Sequence, residues 1–155
     1  MSIEVGQRAP EFTLNDANRT PVSLAQVRAD KAALVVFYPF AFSGGCTTEL
    51  CAVRDDLGTF QNDAVQILAI SCDPVPTLKA WSEAQGYTFP LLSDFWPHGE
   101  VAKAYDVFNE QGGMAVRGTF LIDTDGIVRF AEVKAPGELR DQSAWRRAVD
   151  ALAAV

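Results

Sequence analysis

Leu34-Val35-Val36-Phe37-Tyr38 is an unbroken apolar run that ends in a proline. β-Branched and aromatic side chains in so short a run read as a buried strand. Pro39 has no N–H to give to a sheet ladder and cannot continue a central strand. Ser43, Gly44 and Gly45 then make a loop. From Cys46 to about Gln61 the apolar residues Leu50, Val53, Leu57 and Phe60 recur at three- and four-residue spacing, which predicts a helix. Cys46 therefore stands where a strand has ended and a helix begins. Unpaired N–H groups and the positive end of the helix dipole at that place favour a thiolate over a thiol. The thiolate is the reactive form, and the flanking glycines let the backbone approach a small substrate closely.

The rest of the chain repeats the alternation. Phe12-Thr13-Leu14 predicts a short strand, Asn15–Asn18 a turn, and Thr20–Val22 a returning partner. Ser23 can cap a short helix through Val27. Ala32–Tyr38 is the central strand, and Ala64–Ser71 reads as a second buried one. Thr77–Gln85 predicts a helix behind the loop at Pro74 and Pro76, Phe89–Leu92 a short strand, and His98–Tyr105 another helix. Thr119–Asp123 and Ile127–Val133 predict a hairpin across Thr124-Asp125-Gly126. Asp141–Ala154 closes the chain as a helix with Trp145, Ala148, Val149 and Leu152 as its apolar stripe. Strands alternating with helices, then a hairpin and a helix, predict an α/β fold with a mixed central sheet flanked by helices.

No repeat or linker divides the 155 residues, so we expect one domain over 1–155. The net charge of −7 comes from 13 basic and 20 acidic side chains without a Lys/Arg cluster, which argues against a nucleic-acid partner. No apolar stretch reaches the length of a membrane span. The start, MSIEVGQRAPEF, has neither a basic n-region nor an apolar h-region, so we expect a cytoplasmic protein. Three cysteines are an odd number without a secretory context, which favours catalytic or redox use over a disulfide framework.

Pro39-x-x-x-Ser43-x-x-Cys46 resembles the active-site pattern of the peroxiredoxins, Pro-x-x-x-Thr/Ser-x-x-Cys. The resemblance extends over nearly the whole chain, through APEFTL, FPLLSDFWPHG and RGTFLID. The middle block and FNEQ look most like the AhpE-type subgroup. Cys51, five residues after Cys46, is more like the BCP/PrxQ-type subgroup, where that position supplies a resolving cysteine. The resemblance implies a thioredoxin-like fold. It also implies a thiol-dependent peroxidase that needs no cofactor or metal and acts on hydrogen peroxide or an organic hydroperoxide. Thioredoxin, a glutaredoxin-like protein and a small thiol are all open as reductant, and the resemblance implies a homodimer.

Each candidate residue has a function and a plainer use. Cys46 is the expected peroxidatic thiolate, oxidised to a sulfenic acid; a small buried hydrophobe is the plainer use of a free cysteine. The Ser43 hydroxyl can donate to the thiolate or the peroxide, or cap the helix. Pro39, by resemblance, shields the thiolate and shapes the pocket; otherwise it ends a strand. Arg117 heads an apolar strand and needs a partner or an exit to water. The family places an arginine there beside the thiolate, where it stabilises charge building on the peroxide oxygens. Glu49, one turn after Cys46 and on the same helix face, orients the arginine by resemblance, and an acid in a first helical turn is favourable in any case.

Cys51 is the expected resolving cysteine. In an intact helix, Cα atoms five residues apart lie roughly 8–9 Å from each other, whereas a disulfide needs less than about 7 Å. Resolution by Cys51 therefore requires the first turns to unwind; otherwise Cys51 is a core residue. Cys72 is expected to be structural and is the reserve candidate if Cys51 is inert; His98 is expected to be surface or structural. Some of Phe40, Phe42, Phe95 and Trp96 are expected, by resemblance, to flank the pocket and build a dimer contact. A thioredoxin-type disulfide reductase would want Cys-x-x-Cys rather than the x4 spacing here. A copper-handling protein would want a matching histidine beyond the lone His98 in its Trp-Pro-His-Gly turn.

Overall fold

A computed structural model describes residues 3–135 and 138–153. The elements run β1 (Thr13–Asp16), β2 (Pro21–Ser23), α1 (Leu24–Arg28), β3 (Ala32–Phe37), α2 (Gly44–Asp55), α3 (Leu57–Phe60), β4 (Val65–Ser71) and α4 (Val75–Gln85). They continue with β5 (Leu91–Ser93), α5 (Glu100–Ala104), β6 (Phe108–Asn109), β7 (Met114–Ala115), β8 (Gly118–Ile122), β9 (Val128–Val133) and α6 (Gln142–Ala153). The main sheet has the order β2-β1-β5-β4-β3-β8-β9. β3, β4 and β5 are parallel, and the flanking pairs are antiparallel. The expected mixed α/β sheet is therefore present.

β3 is buried along its whole length because both faces of the sheet are covered. Its side chains alternate between the two cores. Leu34 and Val36, followed by Tyr38, pack with Leu50, Val53, Trp81 and Trp145. Ala33, Val35 and Phe37 pack on the other side with Leu24, Ala102, Tyr105 and Phe120. Parallel neighbours place the C-terminal ends of β3 and β4 side by side, and the loop after β3 starts there.

Several boundaries differ from the sequence reading. The helix expected over Cys46–Gln61 is two helices. Asp56, at φ −131° and ψ 37°, interrupts it between α2 and α3. Its carboxylate accepts from Arg146 Nη2 of α6 at 2.6 Å, which ties the break to the closing helix. α2 also starts two residues before Cys46. α4 begins at Val75 because a proline is tolerated in a first helical turn. The helix expected from His98 is short and starts at Glu100, where the buried Asp94 carboxylate accepts from the Val101 and Ala102 N–H groups. His98 instead bridges two loops, with Nδ1 against Phe95 O at 3.0 Å and Nε2 against Gly113 O at 2.7 Å. The small β6–β7 hairpin was not anticipated, since two-residue strands carry no period. Ala154, the expected end of the last helix, lies outside the described residues.

Candidate active site

β3 delivers the chain to Pro39, and a tight loop carries it into α2. The loop is fixed from the neighbouring strand. Asp73, just past β4, accepts from the Ala41 N–H at 2.8 Å and from the Ser71 hydroxyl at 2.8 Å. Phe42 holds a left-handed φ of 68° and packs its ring near Trp81. A non-glycine residue in that region is uncommon and marks a conformation imposed by its surroundings. Asp73 was not singled out in the sequence, where Asp-Pro reads only as a turn.

Cys46 is the third residue of α2 and is fully buried. Arg117, just before β8, points Nη2 at the Cys46 sulfur from 3.5 Å. The same guanidinium donates through Nε to Glu49 Oε1 at 3.1 Å. Gly45 makes this approach possible: a Cβ there would stand 2.6 Å from Arg117 Nη2. The glycine before the cysteine is thus a space requirement for a cation on its sulfur.

Glu49 is buried, and a second arginine holds it. Arg140 reaches Glu49 Oε1 through Nη2 at 2.7 Å and Oε2 through Nε at 3.2 Å, and its backbone N–H donates to Oε2 at 2.9 Å. Nη1 of Arg140 donates to Phe37 O at 2.6 Å and to Gly118 O at 3.2 Å, bridging β3 and β8. Burial pushes the Glu49 carboxyl up, but the hydrogen bonds and charge of Arg140, with Arg117 adding to them, hold it below the usual carboxylate range. Two arginines around one acid leave a net positive charge, and Arg117 directs it at the sulfur. Arg140 was missed in the sequence. In Glu-Leu-Arg-Asp-Gln-Ser it looks like solvent charge, and nothing local marks it as a core residue.

Ser43 sits at the N-cap position of α2, but its hydroxyl makes no capping bond; it donates to Phe40 O at 2.8 Å. The expected side-chain cap from Ser43 is therefore not made. Pro39, Ser43, Gly45 and Arg117 line one pocket of about 260 Å³, together with the apolar Phe40, Met114 and Val116. Cys51 lies in the same intact helix as Cys46, but its thiol faces Gln85 and Tyr87 rather than the pocket. All three cysteines are free. Cys72 is nearly buried beyond the end of β4. Burial, with Asp94 nearby, pushes its thiol up to about 12.

The AhpC/TSA family model matches residues 5–131. The chain belongs to this peroxiredoxin family. It is 55% identical over 152 residues to the alkyl hydroperoxide reductase E of Mycobacterium tuberculosis, covering 98% of this chain and 99% of the relative. Among solved structures it is similar to peroxidoxin BcpB of Mycobacterium tuberculosis, with a TM-score of 0.82 and 32% identity over 99% of this chain and 98% of that one. It is also similar to Enterococcus faecalis AhpC, with a TM-score of 0.89 and 26% identity over 100% and 95%. The fold is the thioredoxin-like fold of the peroxiredoxins, and the chain is a thiol-dependent peroxidase. Among the described residues, no helix is long and apolar enough to cross a membrane.

Proposed function

We propose that Cys46 reduces hydrogen peroxide and organic hydroperoxides, and that Cys51 resolves the product before an external thiol system restores both thiols. The observation that carries this reading is the Arg117 guanidinium held on the Cys46 sulfur beside the pocket. The thiolate attacks one peroxide oxygen, the O–O bond breaks, and the leaving oxygen takes a proton to become water or an alcohol. The sulfur becomes a sulfenic acid. Arg117 stabilises the charge that develops on the departing oxygen. Pro39 screens the sulfur from water, and Ser43 at the pocket wall supplies a hydroxyl to the peroxide once it turns from Phe40 O. Glu49 aims Arg117.

Cys51 then attacks the sulfenic sulfur. An S–S bond forms, the S–O bond breaks, and hydroxide leaves as water. This needs the turns between the two cysteines to unwind, and paired glycines at the start of α2 support that. A second reading is favoured by a specific observation. Glu49 lies between the two cysteines and is locked by Arg140, while Cys51 is engaged elsewhere. In that reading an external thiol resolves Cys46 directly. The reductant is thioredoxin, a glutaredoxin-like protein or a small thiol, and a reducing, cytoplasmic setting fits three free cysteines. The exposed rings of Phe40, Phe42, Phe95 and Trp96, of which Phe40 lines the site pocket, support a homodimer contact.

The test is to treat fully reduced protein with one equivalent of hydrogen peroxide, denature, alkylate and weigh it intact. Loss of two thiols, with Cys46 and Cys51 linked in the peptide map, supports the two-cysteine cycle. Loss of one, with a trappable sulfenic acid on Cys46, moves resolution outside the chain. Retention of all three thiols overturns the assignment of Cys46.

A further inference from the structure

Cys51 has surroundings unlike those of the third cysteine, Cys72. Its sulfur lies 3.5 Å from Gln85 Oε1 and 3.4 Å from the Tyr87 hydroxyl. A thiol has one proton, and here it is given to Gln85. Tyr87 is then the donor in the second contact, with its O–H on the Cys51 sulfur. Burial, followed by that same contact, pushes the Tyr87 hydroxyl up, so it remains a donor across the working pH range. A Gln side-chain amide presents either end by rotation, so Gln85 is able to follow the sulfur when its proton leaves.

A positive charge completes the cluster. Arg54 follows Cys51 by three residues and so shares its face of α2. It is near enough for its charge to act on a Cys51 thiolate. It is fixed there by donating Nη1 to Gln85 O at 2.6 Å and Nε to Asp55 at 3.0 Å. The titratable groups that bear on the thiol are therefore Tyr87, from the segment after α4, and Arg54 of α2, whose own charge is paired with Asp55. Cys72, by contrast, has the carboxylates Asp94 and Asp73 as neighbours, alongside the more weakly acting Lys103. Cys51 is half-buried and reachable, whereas Cys72 is 6% exposed.

We propose that Tyr87 and Arg54 are positioning residues that make Cys51 a second nucleophilic thiol, Tyr87 by placing a hydrogen-bond donor on its sulfur and Arg54 by holding a cation on the backbone of Gln85, the other residue that touches it. This deepens the two-cysteine reading and rests on it for the electrophile, the Cys46 sulfenic acid. The attacking group in that step must be a thiolate. As S–S forms and hydroxide leaves, the Cys51 sulfur is oxidised and the Cys46 sulfur reduced. Tyr87 and Arg54 hold the negative charge on Cys51 until that moment.

The test measures Cys51 without needing resolution to occur. In a Cys46→Ser background, iodoacetamide alkylation of Cys51 is followed by peptide mass against pH. Tyr87→Phe keeps the ring that packs edge-on to Trp81 at 5.1 Å, so the fold is preserved. We expect Tyr87→Phe and Arg54→Gln each to slow alkylation at pH 7 about three- to tenfold and to move the rate profile to higher pH. The plateau at high pH, where every thiol is ionised, is expected to be unchanged. Equal rates at pH 7, or a slowing that persists at the plateau, overturn the proposal. The peroxide thiol count separates the two readings. Variant-sensitive alkylation without a Cys46–Cys51 disulfide keeps this proposal and removes the two-cysteine cycle. A disulfide with variant-insensitive alkylation does the reverse.

Discussion

Arg140 grips Glu49 by both carboxylate oxygens, and its side chain is wholly withdrawn from water. The pair joins α2 to the segment before α6, and it passes through the site by way of Arg117. Removing one member leaves a buried charge without its counterpart. Arg140→Leu is therefore expected to cost about 3–5 kcal/mol, a fall in Tm of roughly 10 °C, measured by thermal unfolding. Peroxide reduction is expected to fall with it, since Arg117 loses its guide.

The same pair fixes a pH dependence. Glu49 has its carboxyl below the usual range when folded, so it binds protons more readily in the unfolded chain. Its contribution is then complete above the ordinary Glu value of about 4.3 and is lost as pH falls through its lower folded value. Glu49→Gln is expected to be less stable than the parent chain at pH 7. The gap is expected to close progressively below about pH 4 in denaturant titrations. A gap independent of pH would mean that the ion pair is not its source.

Arg117 serves two partners from one planar fork, Glu49 through Nε and Cys46 through Nη2. A lysine offers a single ammonium and cannot reproduce that division. Arg117→Lys is expected to slow peroxide consumption, followed by stopped-flow, on the order of 10²-fold. Cys46→Ser is expected to abolish it. A rate within twofold for Arg117→Lys would show that charge alone suffices.

Gly45→Ala tests the same contact by crowding it. The added methyl meets the far end of a flexible side chain, so stability is expected to change by less than about 1 kcal/mol. The displaced guanidinium is expected to slow peroxide reduction about tenfold. Stopped-flow rates alongside urea unfolding separate the two effects.

Cys72 is expected to be the last thiol to react. With its thiol pushed up to about 12, its thiolate fraction at pH 8 is on the order of 10⁻⁴. Native alkylation followed by peptide mapping at pH 8 should leave it unmodified after Cys46 and Cys51 are labelled.

The strand, loop and helix that present Cys46 were legible because apolar period, proline and paired glycines agree with one another. Arg117 was legible because it opens an apolar strand. Arg140 and Asp73 were not. Their partners lie 91 and 32 residues away in the chain, and no local pattern encodes a contact at that range. The break at Asp56 was hidden for a related reason: Leu57 and Phe60 keep the helical spacing, and the interruption is tied instead to Arg146 on α6.

Glu49 stands between Cys46 and Cys51 in the same helix. In a two-cysteine cycle, bringing the sulfurs together pulls Glu49 from Arg140 and frees Arg117 from its aim. The oxidised chain would then have dismantled its own peroxide site. Each molecule would fire once and stay safe until reduced, with its sulfur out of reach of the second oxidant that would ruin it.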